Sequence, residues 1–331
     1  MRVLVCGGAG FVGSTFVRLC VHDHGDDVTV LDKLTYAGRR ENLRDIWDRI
    51  RFVRGAIEDP AALADAVDGC EAIINLAAET HVDRSISGPQ EFITTNMQGT
   101  YALLEMARAR ELRYLQVSTD EVYGSIESGS FSEQSPLRPS SPYSATKAGA
   151  DLLVSSYVQT YDLDGVICRG SNAYGPYQHP EKLIPLMILN ALADDRLPVY
   201  GDGRNVRNWL YVEDFARGIG VVLARGVRGE VYNCGGPSEC ENIDLVRNVV
   251  ALTGADPALI EFVPDRPGHD RRYSLSSEKL RALGWTPWVG LRDGLDQTVR
   301  WYRENKWWWE PVRSGEYREY YESHYGRALR A

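Results

Sequence analysis

The stretch Val3-Leu4-Val5-Cys6-Gly7-Gly8-Ala9-Gly10-Phe11-Val12-Gly13 decides the fold. Val3–Cys6 reads as a buried strand and Phe11–Val21 as a helix, with glycines crowding the junction. Glycine permits the tight turn and lets the backbone approach a pyrophosphate, while the helix N-terminus offers free N–H groups and a favourable dipole. Two frames fit a dinucleotide fingerprint: Gly8, Gly10, Gly13 or Gly7, Gly10, Gly13. Asp32 ends the next apolar run, nineteen residues after Gly13. That is the place for a carboxylate on the adenosine ribose hydroxyls, which favours NAD over NADP.

Outward from this stretch, short apolar runs recur at Val28–Leu31, Ile50–Val53, Ala72–Leu76, Tyr114–Val117 and Val166–Cys168. Helical periodicity fills the gaps at Pro60–Val67, Gln90–Ala109 and Pro142–Tyr161. Strand–helix alternation with near-continuous apolar strands predicts an α/β, Rossmann-type doubly wound parallel sheet. After Cys168 the alternation fails. Gly170–Pro180 reads as loop, helical periodicity returns at Leu183–Ala193 and Val212–Ala224, and prolines break up the last third. The chain of 331 residues suits about two domains. The first is expected over 1–168 with a return near 204–230. The second, smaller and mixed, is expected over 169–203 and 231–331.

A hydrophobic share of 44% and a charged share of 25% exclude a disordered chain, collagen and a coiled coil. The net charge of −9 argues against nucleic acid as a partner. The six cysteines form no C-x-x-C pair, so neither a disulfide framework nor a metal site is expected, and a reducing, cytoplasmic setting is. No apolar run approaches the ~18 residues of a membrane span. The tail carries Trp301, Trp307, Trp308, Trp309, Tyr317, Tyr320, Tyr321 and Tyr325. It reads as aromatic packing of a C-terminal helix rather than a base-stacking surface.

Two further motifs carry chemistry. Tyr143 and Lys147 stand four apart on one helix face, where an ammonium is expected to lower the tyrosine pKa. A second such pair, Tyr302 and Lys306, lies in the Trp-rich tail and reads as structural. Ser118-Thr119-Asp120-Glu121 follows the fifth strand, at the sheet edge where α/β ligands bind. Two adjacent carboxylates there are costly unless solvated, paired or used.

Together these residues resemble the extended short-chain dehydrogenase/reductases, and within them the dTDP-glucose 4,6-dehydratases. Besides the glycine loop, the resemblance rests on Asp32-Lys33-Leu34-Thr35-Tyr36-Ala37-Gly38, Leu76-Ala77-Ala78-Glu79-Thr80-His81, Thr119-Asp120-Glu121-Val122-Tyr123-Gly124, Arg169-Gly170-Ser171-Asn172-Ala173-Tyr174-Gly175, Pro180-Glu181-Lys182-Leu183 and Asp265-Arg266-Pro267-Gly268-His269. It implies NAD held by Gly7, Gly10, Phe11, Val12, Gly13, Asp32, Lys33, Leu34, Thr35, Ala56, Ile57, Leu76, Ala77, Ala78, Thr95, Tyr143 and Lys147. It implies a sugar nucleotide, dTDP-glucose, held in the second domain by Thr80, Thr119, Asn172, Lys182, Leu183, Pro198, Tyr200, Arg207, Asn242, Arg266 and His269. Catalysis would fall to Tyr143, Lys147 and Thr119 at the C4 hydroxyl, Glu121 as base at C5 and protonated Asp120 as acid at the C6 hydroxyl. The resemblance also implies a homodimer through Gln90–Ala109 and Pro142–Tyr161. Four positions depart from the family pattern: Ala56, Ala173, Cys6 and Asn208 stand for aspartate, asparagine, threonine and aspartate. Two alternatives stay open: a 4-epimerase or decarboxylase of UDP-sugars, which needs no elimination pair, and an NAD-binding regulatory protein without turnover.

Overall fold

Along the first strand, β1 (Arg2–Cys6), Val3 and Val5 enter one apolar cluster while Leu4 and Cys6 enter another. Both faces are therefore buried, as a parallel strand between two helical layers requires. The same holds for β2 (Asp27–Asp32), β4 (Ala72–Asn75), β5 (Arg113–Thr119) and β6 (Gly165–Gly170), while β3 (Ile50–Arg54) forms a half-exposed edge. The computed structural model describes residues 1–313, so Tyr317, Tyr320, Tyr321 and Tyr325 lie outside the described residues.

The large sheet runs Val231–Cys234, β6, β5, β4, β1, β2, β3, with every neighbouring pair parallel. Its order reverses between β1 and β4, which opens a crevice at their carboxyl ends. Phe16, Val17, Phe215 and Ile219 cover one face; Leu63, Leu103, Leu104 and Val154 cover the other. A second core of Ile184, Met187, Trp209, Val246, Val299, Tyr302 and Trp308 forms beside a three-stranded and a two-stranded sheet. Among the described residues no helix is long and apolar enough to cross a membrane.

Several expectations need correction. Val206–Tyr211 pairs in the three-stranded sheet, and the return to the large sheet comes through helix Val212–Arg225, inside the expected 204–230, and strand Val231–Cys234, just past it. Within the expected loop, Asn172–Tyr174 pairs with Trp209–Tyr211, because tertiary pairing overrides a weak local signal. The helix expected over Gln90–Ala109 is interrupted by a π turn at Ile93–Gly99. There Asn96 reaches out of the helix, donating to Glu79 O at 3.1 Å and Thr146 Oγ1 at 3.0 Å and accepting from Glu79 N at 3.0 Å. Such widened turns gather at functional sites. A second π turn, Cys20–His24, ends the first helix early, at Leu19. It brings ligand atoms of Cys20, His24 and Asp26 within 4.8 Å of one another, which spacing alone did not suggest. Burial and Asp26 push the Cys20 thiol up to about 12, and Asp26 already holds the Met1 ammonium at 2.6 Å.

Candidate active site

The crevice begins at the glycine turn. Gly7 has a φ of +74°, and a Cβ on it would stand 2.6 Å from Ala77 N. A Cβ on Gly13 would stand 2.1 Å from Gly7 O. Gly8 instead packs inward on Val30 and Val17, which settles the frame as Gly7, Gly10, Gly13. These glycines make a cradle whose floor is backbone, and the Phe11–Leu19 helix presents unpaired N–H groups to it. Asp32 lies 8% exposed at the end of β2 and accepts from Ala9 N at 3.0 Å and Leu34 N at 2.8 Å. A carboxylate oxygen keeps lone pairs for a ribose hydroxyl beyond those bonds. Gly7, Gly10, Asp32, Lys33, Thr35, Ala56, Ile57, Leu76, Ala77, Ala78 and Thr95 line one pocket. The π turn aims Thr95 at Lys33 Nζ, 3.0 Å away. The residues present suit a dinucleotide with a free 2′-hydroxyl. Changing Gly13 to Ala should weaken NAD binding by at least about tenfold, since backbone rather than a flexible side chain must move; calorimetric titration checks this.

Leu34 is placed differently from expectation. Its backbone N–H caps Asp32 at a φ of +57°, and its side chain packs against the core rather than lining the pocket. Glu58 lines the same pocket with a buried Oε2 that has no hydrogen-bond partner, and sequence reading missed it. It neighbours Ala56, where the resemblance misses a carboxylate.

The central pocket continues from Gly7, Gly10, Phe11, Val12 and Gly13 to Thr119, Glu121, Tyr143 and Lys147, about 280 Å³ in volume. β5 ends at Thr119, and a short turn follows over Asp120–Tyr123. Opposite, helix Pro142–Tyr161 starts in a capping box of Ser141 and Ser144, which fixes its first turn and therefore Tyr143. Tyr143 is within hydrogen-bond reach of Thr119. One turn deeper, Lys147 Nζ donates to Val117 O at 2.7 Å. Asp151 lies 1% exposed below it, accepting from Arg169 Nε at 2.8 Å and Ser118 Oγ at 3.0 Å. The spacing from Lys147 to Asp151, four residues on one helix face, was the signal available for it.

Burial pushes the Asp120 carboxyl up to about 8; Glu121 adds to this and Arg207 opposes it. Burial also raises Glu121, but Arg266, Arg207 and Lys182 pull it back toward the charged form. The Asp120 carboxyl is thus held high, while three cations oppose the rise at Glu121, so the close carboxyl pair sits in unequal surroundings. Asp120 lies 1% exposed behind Thr119 and Glu121, with Oδ2 unpartnered, and does not line the pocket wall. Burial lowers Lys147 to about 8, with Asp151 resisting. The tyrosine expectation is overturned in direction: burial, then Glu121, raises Tyr143 above the ordinary phenol value. Desolvation and three carboxyls, Glu121, Asp120 and Asp151, outweigh an ammonium that burial itself weakens. Asp120 and Lys147 both work protonated, so kcat/KM is expected to fall as pH rises through about 8; a pH–rate profile checks it.

A third pocket adjoins at Thr80, Glu121, Asn172 and Lys182. Lys182, Arg207 and Arg266 supply its positive charge, and Leu183, Pro198, Tyr200, Trp209 and Met187 its flat apolar wall. The cations are preset by the protein. Lys182 Nζ donates to Thr80 O at 3.0 Å, Arg207 to Asp270 O at 2.9 Å, and Arg266 to Asp83 at 3.2 Å. Asn172 Oδ1 and Asn242 Oδ1 line it buried and unpartnered. His269, hydrogen-bonded to Asp265 at 2.6 Å, is lowered to about 4 by burial and is neutral. Glu181, Trp209 and Met187 were missed, since their side chains reach the pocket only through tertiary packing. Tyr302 is fully buried in the second core, away from the cleft, and its hydroxyl donates to Gln178 O.

The family model described as GDP-mannose 4,6 dehydratase matches residues 4–298. A dTDP-glucose 4,6-dehydratase of Streptomyces niveus is 50% identical over 323 residues, covering 95% of this chain and 96% of that protein. A crystal structure of a dTDP-glucose 4,6-dehydratase from Streptomyces venezuelae with NAD and TYD bound is 53% identical, with a TM-score of 0.92 over 94% of this chain and 100% of that one. The chain belongs to the dTDP-glucose 4,6-dehydratase family. A UDP-glucose 4-epimerase of Thermus thermophilus in complex with NAD reaches a TM-score of 0.86 at 32% identity, over 92% of this chain and 100% of that one. Fold alone does not separate dehydratase from epimerase. In this dehydratase-family chain the separating feature is the split carboxyl pair beside Tyr143.

Proposed function

We propose that this protein dehydrates dTDP-glucose to dTDP-4-keto-6-deoxyglucose with NAD as a regenerated cofactor. The observation that carries this is the buried pair Asp120 and Glu121, with the Asp120 carboxyl pushed up to about 8 and three cations facing Glu121, beside the Tyr143–Thr119–Lys147 group. An epimerase or a binding protein has no use for an acid and a base at C5 and C6.

Bound NAD supplies the hydride acceptor for C4 and returns that hydride to C6. Tyr143 takes the C4 hydroxyl proton, with Thr119 orienting its phenol and Lys147 keeping positive charge nearby. The C4 ketone then acidifies the C5 hydrogen, which makes it accessible to a carboxylate. Glu121 removes it, Asp120 gives its proton to the departing C6 oxygen so that water leaves, and C5 takes a proton back when hydride reaches C6. Lys182, Arg207 and Arg266 hold the diphosphate; Leu183, Pro198 and Tyr200 pack against the base and deoxyribose. The test uses dTDP-glucose deuterated at C4. The product should weigh one water less and carry the deuterium on its methyl group. A product of unchanged mass, or deuterium lost to solvent, overturns the reading.

The exposed apolar side chains Ile93, Tyr101, Leu152 and Tyr161 sit on the two helical segments expected to pair. Burying them against a second copy would remove them from water. A homodimer through these helices is the reading they support. Changing Leu152 to Arg should shift light-scattering mass toward the monomer. A reducing, cytoplasmic setting suits the six unpaired cysteines.

A further inference from the structure

The Trp-rich tail is a sequence feature the reaction does not use. Trp308 is 1% exposed and belongs to the second core, packed on Tyr177, Trp301 and Tyr302. Yet its indole N–H leaves that core and donates to Asn42 Oδ1 at 2.6 Å. Asn42 is fully buried, and its Nδ2 donates to Ala9 O at 2.7 Å. Ala9 is the one non-glycine residue among positions 7 to 10 of the dinucleotide turn. The same Ala9 carbonyl accepts from Arg39 N at 3.0 Å, and Arg39 Nη1 donates to Trp308 O at 2.8 Å. Ala9 N–H is held by Asp32. The N–H and the carbonyl of Ala9 are thus both fixed, and the fixing chain ends at Trp308, 266 residues beyond Asn42.

We infer that Trp308 and Asn42 are positioning residues for the NAD pyrophosphate: they clamp the glycine turn from the second core. Glycines give the turn its close approach but also its freedom, so a turn built of them holds its shape only under outside restraint. The restraint has a functional reason. The carrier must stay in place between two hydride transfers, so NAD should be held tightly throughout turnover.

The inference rests on the NAD reading above, and one experiment separates the two. NAD is stripped from the full-length protein and from Trp308→Phe, Asn42→Ala and the double variant. NAD affinity is then measured by calorimetry, and kcat at saturating NAD. Phe keeps the ring and removes only the N–H. Each single change should weaken NAD about tenfold, the effect of leaving one buried polar group unpaired. kcat at saturating NAD should stay within about twofold, and the double variant should be no weaker than the worse single. A general loss of structure would lower kcat and affinity together, and that outcome overturns the inference, as does NAD affinity within twofold of the parent in Trp308→Phe. Should that variant not fold, Arg39→Ala decides in the same way, because it keeps the backbone N–H on Ala9. If the parent itself binds no NAD, the functional reading fails instead.

Discussion

Asp120→Asn and Glu121→Gln should each slow dehydration about 10²–10⁴-fold while C4 oxidation still proceeds. The first step needs a base at the C4 hydroxyl, which is Tyr143. The second needs the acid and the base that these changes remove. Mixing either variant with dTDP-glucose should therefore leave a persistent NADH absorbance with little product. Absence of any NADH signal in both would sink the assignment. Melting temperature separates a local effect of Asp120→Asn from unfolding, because the expected stability change is a gain. The Asp120 carboxyl is raised from 3.8 to about 8 in the folded protein. The folded state then binds the extra proton between those values, so stability from this group falls as pH rises across that window. Asparagine has no charge to bury, and Asp120→Asn should melt higher than the parent near pH 8, the gain vanishing in acid. Glu121→Gln removes the second cause of the Asp120 shift and should move the alkaline limb of the pH profile to lower pH.

Tyr143→Phe is expected to lose both partial reactions, with turnover falling about 10³-fold or more and no NADH signal. Ring packing survives the change, so substrate and NAD affinity should stay within a few-fold. The buried phenol is held high by desolvation and by Glu121, so its phenolate is a strong base for the C4 hydroxyl proton released as hydride departs. A variant that still accumulates NADH at a parental rate would show that another group takes the C4 proton. Single-turnover absorbance distinguishes the two.

Much of the site was legible because its signals are local. The glycine turn, Asp32 at the strand end, the four-residue step from Tyr143 to Lys147 and the carboxyl pair after β5 are each written within a few residues. Alternation of apolar runs with helical periodicity announced the parallel sheet for the same reason. Short-range spacing also misled. It placed Lys147 beside Tyr143 correctly but said nothing of burial, and burial decided the direction of the tyrosine shift. The resemblance, not spacing, gave Leu34 a cofactor role, and its side chain packs against the core while its backbone N–H goes to Asp32.

Residue types and their near spacing, then, determined the fold class and the cofactor chemistry, and marked the carboxyl pair whose roles the family resemblance supplies. Tertiary structure alone decided which glycine frame meets the pocket, since that depends on Val30 of β2 and on Ala77 just past β4. It also decided the π turn that aims Thr95 and Asn96, the split between Asp120 and Glu121, and the reach of Trp308 to Ala9 through Asn42. Each of these depends on desolvation or on contacts between residues far apart in the chain, and no periodicity records either.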